Sequence, residues 1–376
     1  MRNSAAPGFS TMAIHARRLL GPGMMNPVSA LEERIAALEG GVAAVAAASG
    51  RAAQLLVFHM LMAPGEDIVA ANKLDGGSIG PLSHAFKSFG WGVTSASPDD
   101  PSAFAAAIGP KTKAIFIESI AHRSGAIADI EAIAQIAKAA RIPLVVDNAL
   151  ATPYLIRPIE HGADIVVHSS AKLLGGHGHC AGGLVIDGGG FDWLQDQRYP
   201  MLAAPRPEYD GMVLGQAFGN FSFAVACRML GLRDFGAALS PFDAFLTLSG
   251  IETLPLRMQR HCENAMAVAE CLAGHRAVRW VAYPALQGDR YHELAQKYCP
   301  DGAGAVVAFG LRSGEAAGGA LVRRLNLFSR CAEVGGARSL AVHLASTTLS
   351  PSAVRLSIGI EDKKDLIADL DQALAT

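Results

Sequence analysis

Aromatic side chains are scarce in this chain, at 6% of 376 residues. Charge is scarce too: Asp, Glu, Lys and Arg together make 18%, and they nearly cancel to a formal net charge of −2. So even a balance supplies no field to draw nucleic acid or an anionic membrane, and neither is expected as a partner. The six cysteines (Cys180, Cys227, Cys262, Cys271, Cys299 and Cys331) include no C-x-x-C pair. In a chain of this length they read as reduced thiols of a cytoplasmic protein, not as a disulfide framework. No apolar run is long enough to cross a bilayer, and the opening "MRNSAAPGFSTMAIHARRLL" lacks the apolar core of a secretory signal. Internal repeats and low-complexity tracts are absent as well. What is present is alanine, glycine and aliphatic side chains. Hydrophobic residues make 51% of the chain, which suits helices packed closely on a sheet.

The stretch "NPVSALEERIAALEGGVAAVAAASG" carries the first clear pattern. Leu31, Ile35, Leu38, Val42 and Val45 recur at spacings of three and four, which places them on one helical face. Ser29 with Glu32 fits an S-x-x-E capping box with Pro27 just outside it, and Gly40-Gly41 splits the pattern into two helices. From there short apolar runs alternate with helical ones. "EDIVAAN", "WGVTSAS", "KAIFIESI", "IPLVVDN", "DIVVHSS" and "GGLVIDGG" read as strands, and in "DIEAIAQIAKAAR" Ile130, Ile133 and Ala137 line one helical face. Nearly all-apolar strands alternating with helices predict an α/β fold with a mostly parallel central sheet covered on both sides.

After about Gly231 the texture changes. "SPFDAFLTLSGIETLPLRMQRHCENAMAVAECLAGH" is a long helical bridge broken near Pro255. It leads to strands in "AGAVVAFGLR" and "SAVRLSIGIED" and a closing helix in "KKDLIADLDQAL". The expected division is residues 1–26 as a short N-terminal segment, 27–231 as an α/β domain, and 232–376 as bridging helices with a smaller α+β domain.

Open parallel sheets bind ligands beyond the carboxyl ends of their strands. Asp147 in "VVDN" and Lys172 in "VVHSSAKLLGGHG" stand at such ends. A lysine in an apolar, glycine-lined pocket can lose its proton and form a Schiff base with a carbonyl. A buried aspartate suits a cation that water cannot reach, such as a protonated pyridine nitrogen. Serines and the N–H groups of a helix start suit a phosphate. Together these are the needs of pyridoxal phosphate. Taken singly, an aspartate before asparagine is equally a turn former, and a lysine after a strand is usually solvated. "GHGHC" offers His177, His179 and Cys180 as metal ligands, but ligands packed so tightly in sequence rarely close a tetrahedral site, and no metal is expected. Neither a Walker loop nor a G-x-G-x-x-G opening is found, which disfavours nucleotide and nicotinamide chemistry.

The segment "VVDNALATPYLIRPIEHGADIVVHSSAKLLGGHG" resembles the cofactor region of the Cys/Met-metabolism pyridoxal-phosphate enzymes. These are the cystathionine synthases and lyases, methionine γ-lyase and the homoserine-ester sulfhydrylases. "MNPVSALEERIAALEGGVAAVAAASGRAA", "FGAALSPFDAFLTLSGIETLPLRMQRHCENA" and "VHLASTTLSPSAVRLSIGIED" are similar to that family too, so the resemblance runs from about Asn26 to the C-terminus. It implies fold type I and pyridoxal 5'-phosphate as cofactor, and the wording is most similar to the branch acting on O-acetylhomoserine. The activity implied is γ-replacement giving homocysteine or methionine. Alternatives are a γ-lyase-type reaction, or a divergent paralogue of weak or altered activity beside a full-length homologue. The assembly implied is a homo-oligomer, a dimer of dimers, with a mixed oligomer as the alternative.

By the resemblance Lys172 forms the Schiff base and Asp147 pairs with the pyridinium. Ser169 and the backbone N–H groups of Gly50 and Arg51 hold the phosphate, and Arg355 binds the substrate α-carboxylate with Ser339 nearby. In "AVRLSIGI" Val354, Leu356, Ile358 and Ile360 share one strand face, so Arg355 projects from the other, beside Ser357.

The chain also departs from the family's pattern. "LLGPGMMNP" has no Tyr-x-Arg element before "MNP", so the arm that a neighbouring subunit receives is expected to be largely missing. The ring-stacking tyrosine is Asp75, the Asn-Pro pair is His122-Arg123, and the threonine before the cofactor lysine is Ala171. A loop before "VRLS" is reduced to "LSPSA". Losing a charged hydrogen bond to phosphate typically costs ~1.5–3 kcal/mol; Arg51 and Arg123 are placed to offset it.

Overall fold

Apolar strands that are buried on both faces can only sit inside a sheet with helices above and below. In the computed structural model, which describes residues 26–71, 79–122, 124–344 and 352–375, they do. β1 (Ala43–Ala47), β2 (Asp67–Ala71), β3 (Gly92–Ala96), β4 (Thr112–Glu118), β5 (Leu144–Asp147), β6 (Ile165–Ser169) and β7 (Gly183–Asp187) form one sheet in the order β1-β7-β6-β5-β4-β2-β3. Strands β3, β2, β4, β5 and β6 run parallel, while β7 turns back antiparallel between β6 and β1. Every residue of β4 is buried. The helix Ile130–Ala139 is capped by Asp129 and buries Ile130, Ile133 and Ala137, as their spacing predicts.

Two local expectations need correcting. The cap of the helix Pro27–Glu39 is Asn26, whose side chain accepts from the Val28 N–H, and Pro27 lies in the first turn. The second helix predicted after Gly41 is instead the strand β1, "AAVAA". Alanine favours helices, but here four of the five residues are buried and the strand is paired in register with β7. Ladder bonds and burial outweigh a propensity of a few tenths of a kcal/mol per residue.

The helical bridge is two helices, Pro241–Glu252 and Leu254–Gly274, parted at Thr253 just ahead of Pro255. A second sheet follows: β8 (Val278–Ala282), β9 (Val306–Leu311), β10 (Ser329–Arg330), β11 (Leu340–His343) and β12 (Ala353–Ser357), in the order β10-β11-β12-β9-β8. The helix Lys363–Leu374 closes the chain's described part. β9, β12 and this helix match the sequence reading; β8, β10 and β11 are additions to it. Among the described residues no helix is long and apolar enough to cross a membrane. Asp75, Arg123, the segment before "MNP" and most of the "LSPSA" loop lie outside the described residues.

Candidate active site

Three neighbouring parallel strands end together. Glu118 at the end of β4 pairs in register with Asp147 at the end of β5, and Asp147 with Val167 of β6, two residues before Ser169. The first sheet therefore presents two carboxylates and a hydroxyl along one edge. The chain leaving Ser169 winds into a five-residue π-helical turn, Ser170–Leu174, with an irregular backbone at Lys172 (φ −90°, ψ −132°). Such turns often sit at functional sites. The turn is gripped from outside by Arg257, whose guanidinium donates to the carbonyls of Leu173 (2.7 Å), Leu174 (3.1 Å) and Gly250 (2.6 Å). Gly176 follows at φ +78°, where a Cβ would also lie 2.2 Å from the Arg257 guanidinium.

Lys172 Nζ lies 2.8 Å from Nε2 of His122. Nδ1 is 3.4 Å from the same amine, which therefore lies over the imidazole ring, and 3.6 Å from Glu118 Oε1, while the His122 backbone N–H donates to Glu118 Oε2 at 2.9 Å. Burial pushes the Glu118 carboxyl upward, but the hydrogen bonds and charge of His122, with Lys172 behind it, prevail and hold it below the ordinary carboxylate value.

Asp147 is buried and held from two sides. Gln54 Nε2 donates to Oδ2 at 2.9 Å and the Ala149 N–H to Oδ1 at 3.0 Å. Gln54 lies on the helix Gly50–Leu61, capped by Ser49, whose hydroxyl accepts from Ala52. That cap leaves the N–H groups of Gly50 and Arg51 at the positive end of the helix. A Cβ on Gly50 would fall 2.8 Å from Ser169 Cβ, so the absence of a side chain lets the helix start meet the strand end. The Arg51 side chain is exposed.

Arg355 arrives from the second sheet. It sits in β12 between Val342 and Ala308 and is 5% exposed. Its Nη1 donates to the His122 carbonyl at 3.4 Å and its Nη2 to the carbonyls of Ala332 and, at 3.1 Å, Glu333. Lys172, His122 and Arg355 are thus brought together. Ser339 is fully buried, and its hydroxyl donates to Glu361 at 2.9 Å and accepts from Gly359 at 2.8 Å, so it is turned into its own loop. His177 and His179 are exposed, whereas Cys180 is buried against Thr247.

Sequence reasoning missed Gln54, Glu118 and Arg257. Glu118 had a signal, an acid ending an apolar strand just as Asp147 does. Gln54 stands four residues after Gly50, one helical turn along the same face. Deeper still, Glu39 accepts from Asn148 at 2.8 Å and meets His168 at 2.5 Å, bracing the segments that carry Asp147 and Ser169.

This donor set fits pyridoxal phosphate: a lysine, a braced carboxylate on the next strand, and a helix start opened by a glycine. The comparisons agree. A sequence profile of the Cys/Met metabolism PLP-dependent enzymes matches residues 23–375. An O-acetyl-L-homoserine sulfhydrylase from Leptospira meyeri is 41% identical over 96% of this chain and 88% of its own length. A homocysteine synthase from Schizosaccharomyces pombe is 42% identical over 96% and 90%. A crystal structure from Campylobacter jejuni, of a protein assigned as an O-acetylhomoserine (thiol)-lyase with pyridoxyl phosphate on a lysine, superposes with a TM-score of 0.87. It is 35% identical and covers 93% of this chain and 85% of its own. The chain belongs to the Cys/Met-metabolism pyridoxal-phosphate-dependent enzymes.

Proposed function

We propose that the chain catalyses γ-replacement on O-acetylhomoserine, with sulfide or a thiol as nucleophile, yielding homocysteine or methionine. The observation that carries this reading is the convergence of Lys172 and Arg355 on His122, beside a buried Asp147, in a chain whose relatives are named for this chemistry. When bound, pyridoxal phosphate supplies an electron sink for the pair left at the substrate α-carbon.

The protein's own groups do the rest. Asp147, fixed by Gln54 and Ala149, holds the protonated ring nitrogen. The N–H groups of Gly50 and Arg51 with the Ser169 hydroxyl hold the phosphate. Arg355 offers a planar fork to the α-carboxylate. Lys172 Nζ carries a proton between the α- and β-carbons. His122 stands where the family's asparagine does and faces the cofactor lysine. We further assign the protein to the cytoplasm as a homo-oligomer, organised as residues 27–231 for the cofactor and 232–376 for the carboxylate clamp.

The test is to supply O-acetylhomoserine with sulfide and quantify acetate and homocysteine. Equal yields of the two are expected. Acetate released with 2-oxobutanoate and no homocysteine would overturn replacement in favour of γ-elimination.

A further inference from the structure

We propose that Tyr298 is a positioning residue for substrate: its hydroxyl fixes the base of the hairpin that stands between Lys172 and Arg355. The inference rests on the reading that Arg355 takes the α-carboxylate and Lys172 carries the cofactor.

The chain leaving β4 folds back on itself before the helix Ile130–Ala139 begins. Ile120 bridges Ile127, the Ala121 N–H donates to the Ala126 carbonyl at 2.7 Å, and the Gly125 N–H to that of Ala121 at 2.9 Å. His122 lies in the tip of this hairpin. Its Nε2 is 2.8 Å from the Lys172 amine, and its carbonyl is 3.4 Å from Arg355 Nη1. One residue thus touches both groups that a substrate must bridge. The tip also rests on the second sheet. Gly125 has φ +69°, and a Cβ there would lie 3.1 Å from the Val306 carbonyl at the start of β9.

A hairpin this short is marginal by itself, so its ties to the rest of the protein decide where the tip stands. At the tip the bond to Arg355 is long and weak. The base is held more firmly. Tyr298 ends the helix His292–Tyr298, which lies between β8 and β9 in the chain. Its hydroxyl donates to Asp129 Oδ1 at 2.5 Å and accepts from the Glu131 N–H at 3.0 Å. Asp129 closes the hairpin's return and caps the next helix, so this one hydroxyl fastens both.

The tyrosine itself is well seated. It is buried, and His161 meets its ring edge-on with centroids 4.8 Å apart. Burial and the Asp129 carboxylate push the hydroxyl up to about 12, so it stays a donor throughout the neutral range. Lys297 reaches the same two acids, at 3.3 Å from Asp129 and 2.8 Å from Glu131. Its side chain is 41% exposed, however, and ion pairs of that kind contribute little. The hydroxyl is the stronger tie. Shifts of about 1 Å between groups that must engage one ligand are enough to weaken its productive binding.

The test compares Tyr298→Phe, Lys297→Met and Arg355→Lys with wild type, all loaded with pyridoxal phosphate. Binding of L-2-aminobutanoate, an α-amino acid with no leaving group, is read from the visible absorbance of the cofactor. Hydrogen exchange of the peptide 119–129 is read by mass spectrometry against that of 144–156. Tyr298→Phe is expected to raise Kd by about three- to tenfold, the effect of one hydrogen bond, and to speed exchange in 119–129 alone. Lys297→Met should change neither. Unaltered Kd in Tyr298→Phe, or equal changes in Lys297→Met, overturns the inference. So does faster exchange in both peptides, the sign of a general loosening. Arg355→Lys keeps the two readings apart. Unchanged Kd in that variant refutes the carboxylate assignment itself, whereas weakened binding there with none in Tyr298→Phe refutes only the role of the hydroxyl.

Discussion

The side-chain amide of Gln54 donates to Asp147 Oδ2 at 2.9 Å, joining residues 93 apart in sequence. Both are buried, and the helix that carries Gln54 also opens at Gly50 against Ser169. One helix therefore meets the site twice, at its start and one turn in.

Replacing Gln54 with Leu removes a donor from a buried carboxylate and leaves its charge less well satisfied. The fold should lose about 1–3 kcal/mol, and the cofactor should be released at lower denaturant than in wild type. Urea unfolding of the cofactor-free chain measures the first, and the visible absorbance of the cofactor-loaded chain over the same urea range measures the second. An unaltered unfolding midpoint would show that the bond contributes nothing to stability.

Lys172→Ala should abolish borohydride-stable attachment of pyridoxal phosphate. Intact-protein mass reads the result directly. Attachment at wild-type level in this variant would place the reactive amine elsewhere.

Arg355→Lys keeps a positive charge but loses the planar fork. The α-carboxylate should then bind through one contact, raising KM by about tenfold or more, since a lost charged bond is worth roughly 1.5–3 kcal/mol. A variant with unchanged KM and lowered kcat would mean that the arginine acts on the carbonyls of Ala332 and Glu333 and not on substrate.

His261 is fully buried, its Nδ1 at 2.7 Å from the Ile358 carbonyl. Burial lowers its pKa from 6.5 to about 4, assisted by the Arg257 charge and opposed by the Ile358 bond. The unfolded chain therefore takes up a proton near pH 6.5 that the folded chain refuses until about pH 4. Stability associated with this group is complete above 6.5 and is lost as pH falls toward 4, by roughly 3 kcal/mol. The Asp187 carboxyl, pushed up by burial from 3.8 to about 6, works the other way, weakening the fold as pH rises through that window. The two overlap, so the quantity to measure is the difference between wild type and His261→Gln from pH 4 to 7. That difference should vary with pH in the direction given for His261. A pH-independent difference would refute the assignment.

Much of the site was legible because strands buried on both faces announce themselves as apolar runs, and the residues ending them stand out. Asp147 and Lys172 were visible that way, and Arg355 by strand alternation. The alanine strand β1 was not, because its conformation comes from pairing with β7 and not from its own preferences. The contact between His122 and Lys172 joins residues 50 apart and depends on a π-helical turn that no periodicity signals. Arg257 was hidden for a similar reason. It looks like one more polar position on a long helix, and only the carbonyls it meets give it a role.

Arg257 has a companion grip on the same helix. One turn further along, His261 holds the carbonyl of Ile358, just beyond the strand that carries Arg355. The helix thus works as a gauge block between the lysine's turn and the arginine's strand. Its two jaws are set about 6 Å apart along the axis by four residues of helical rise. A single residue inserted between positions 257 and 261 would rotate one jaw by about 100° relative to the other and free it. The separation of the two elements is thereby set by helical rise and by the side chains at positions 257 and 261 together, so a change of length in this stretch would be felt at the lysine's turn and the arginine's strand alike.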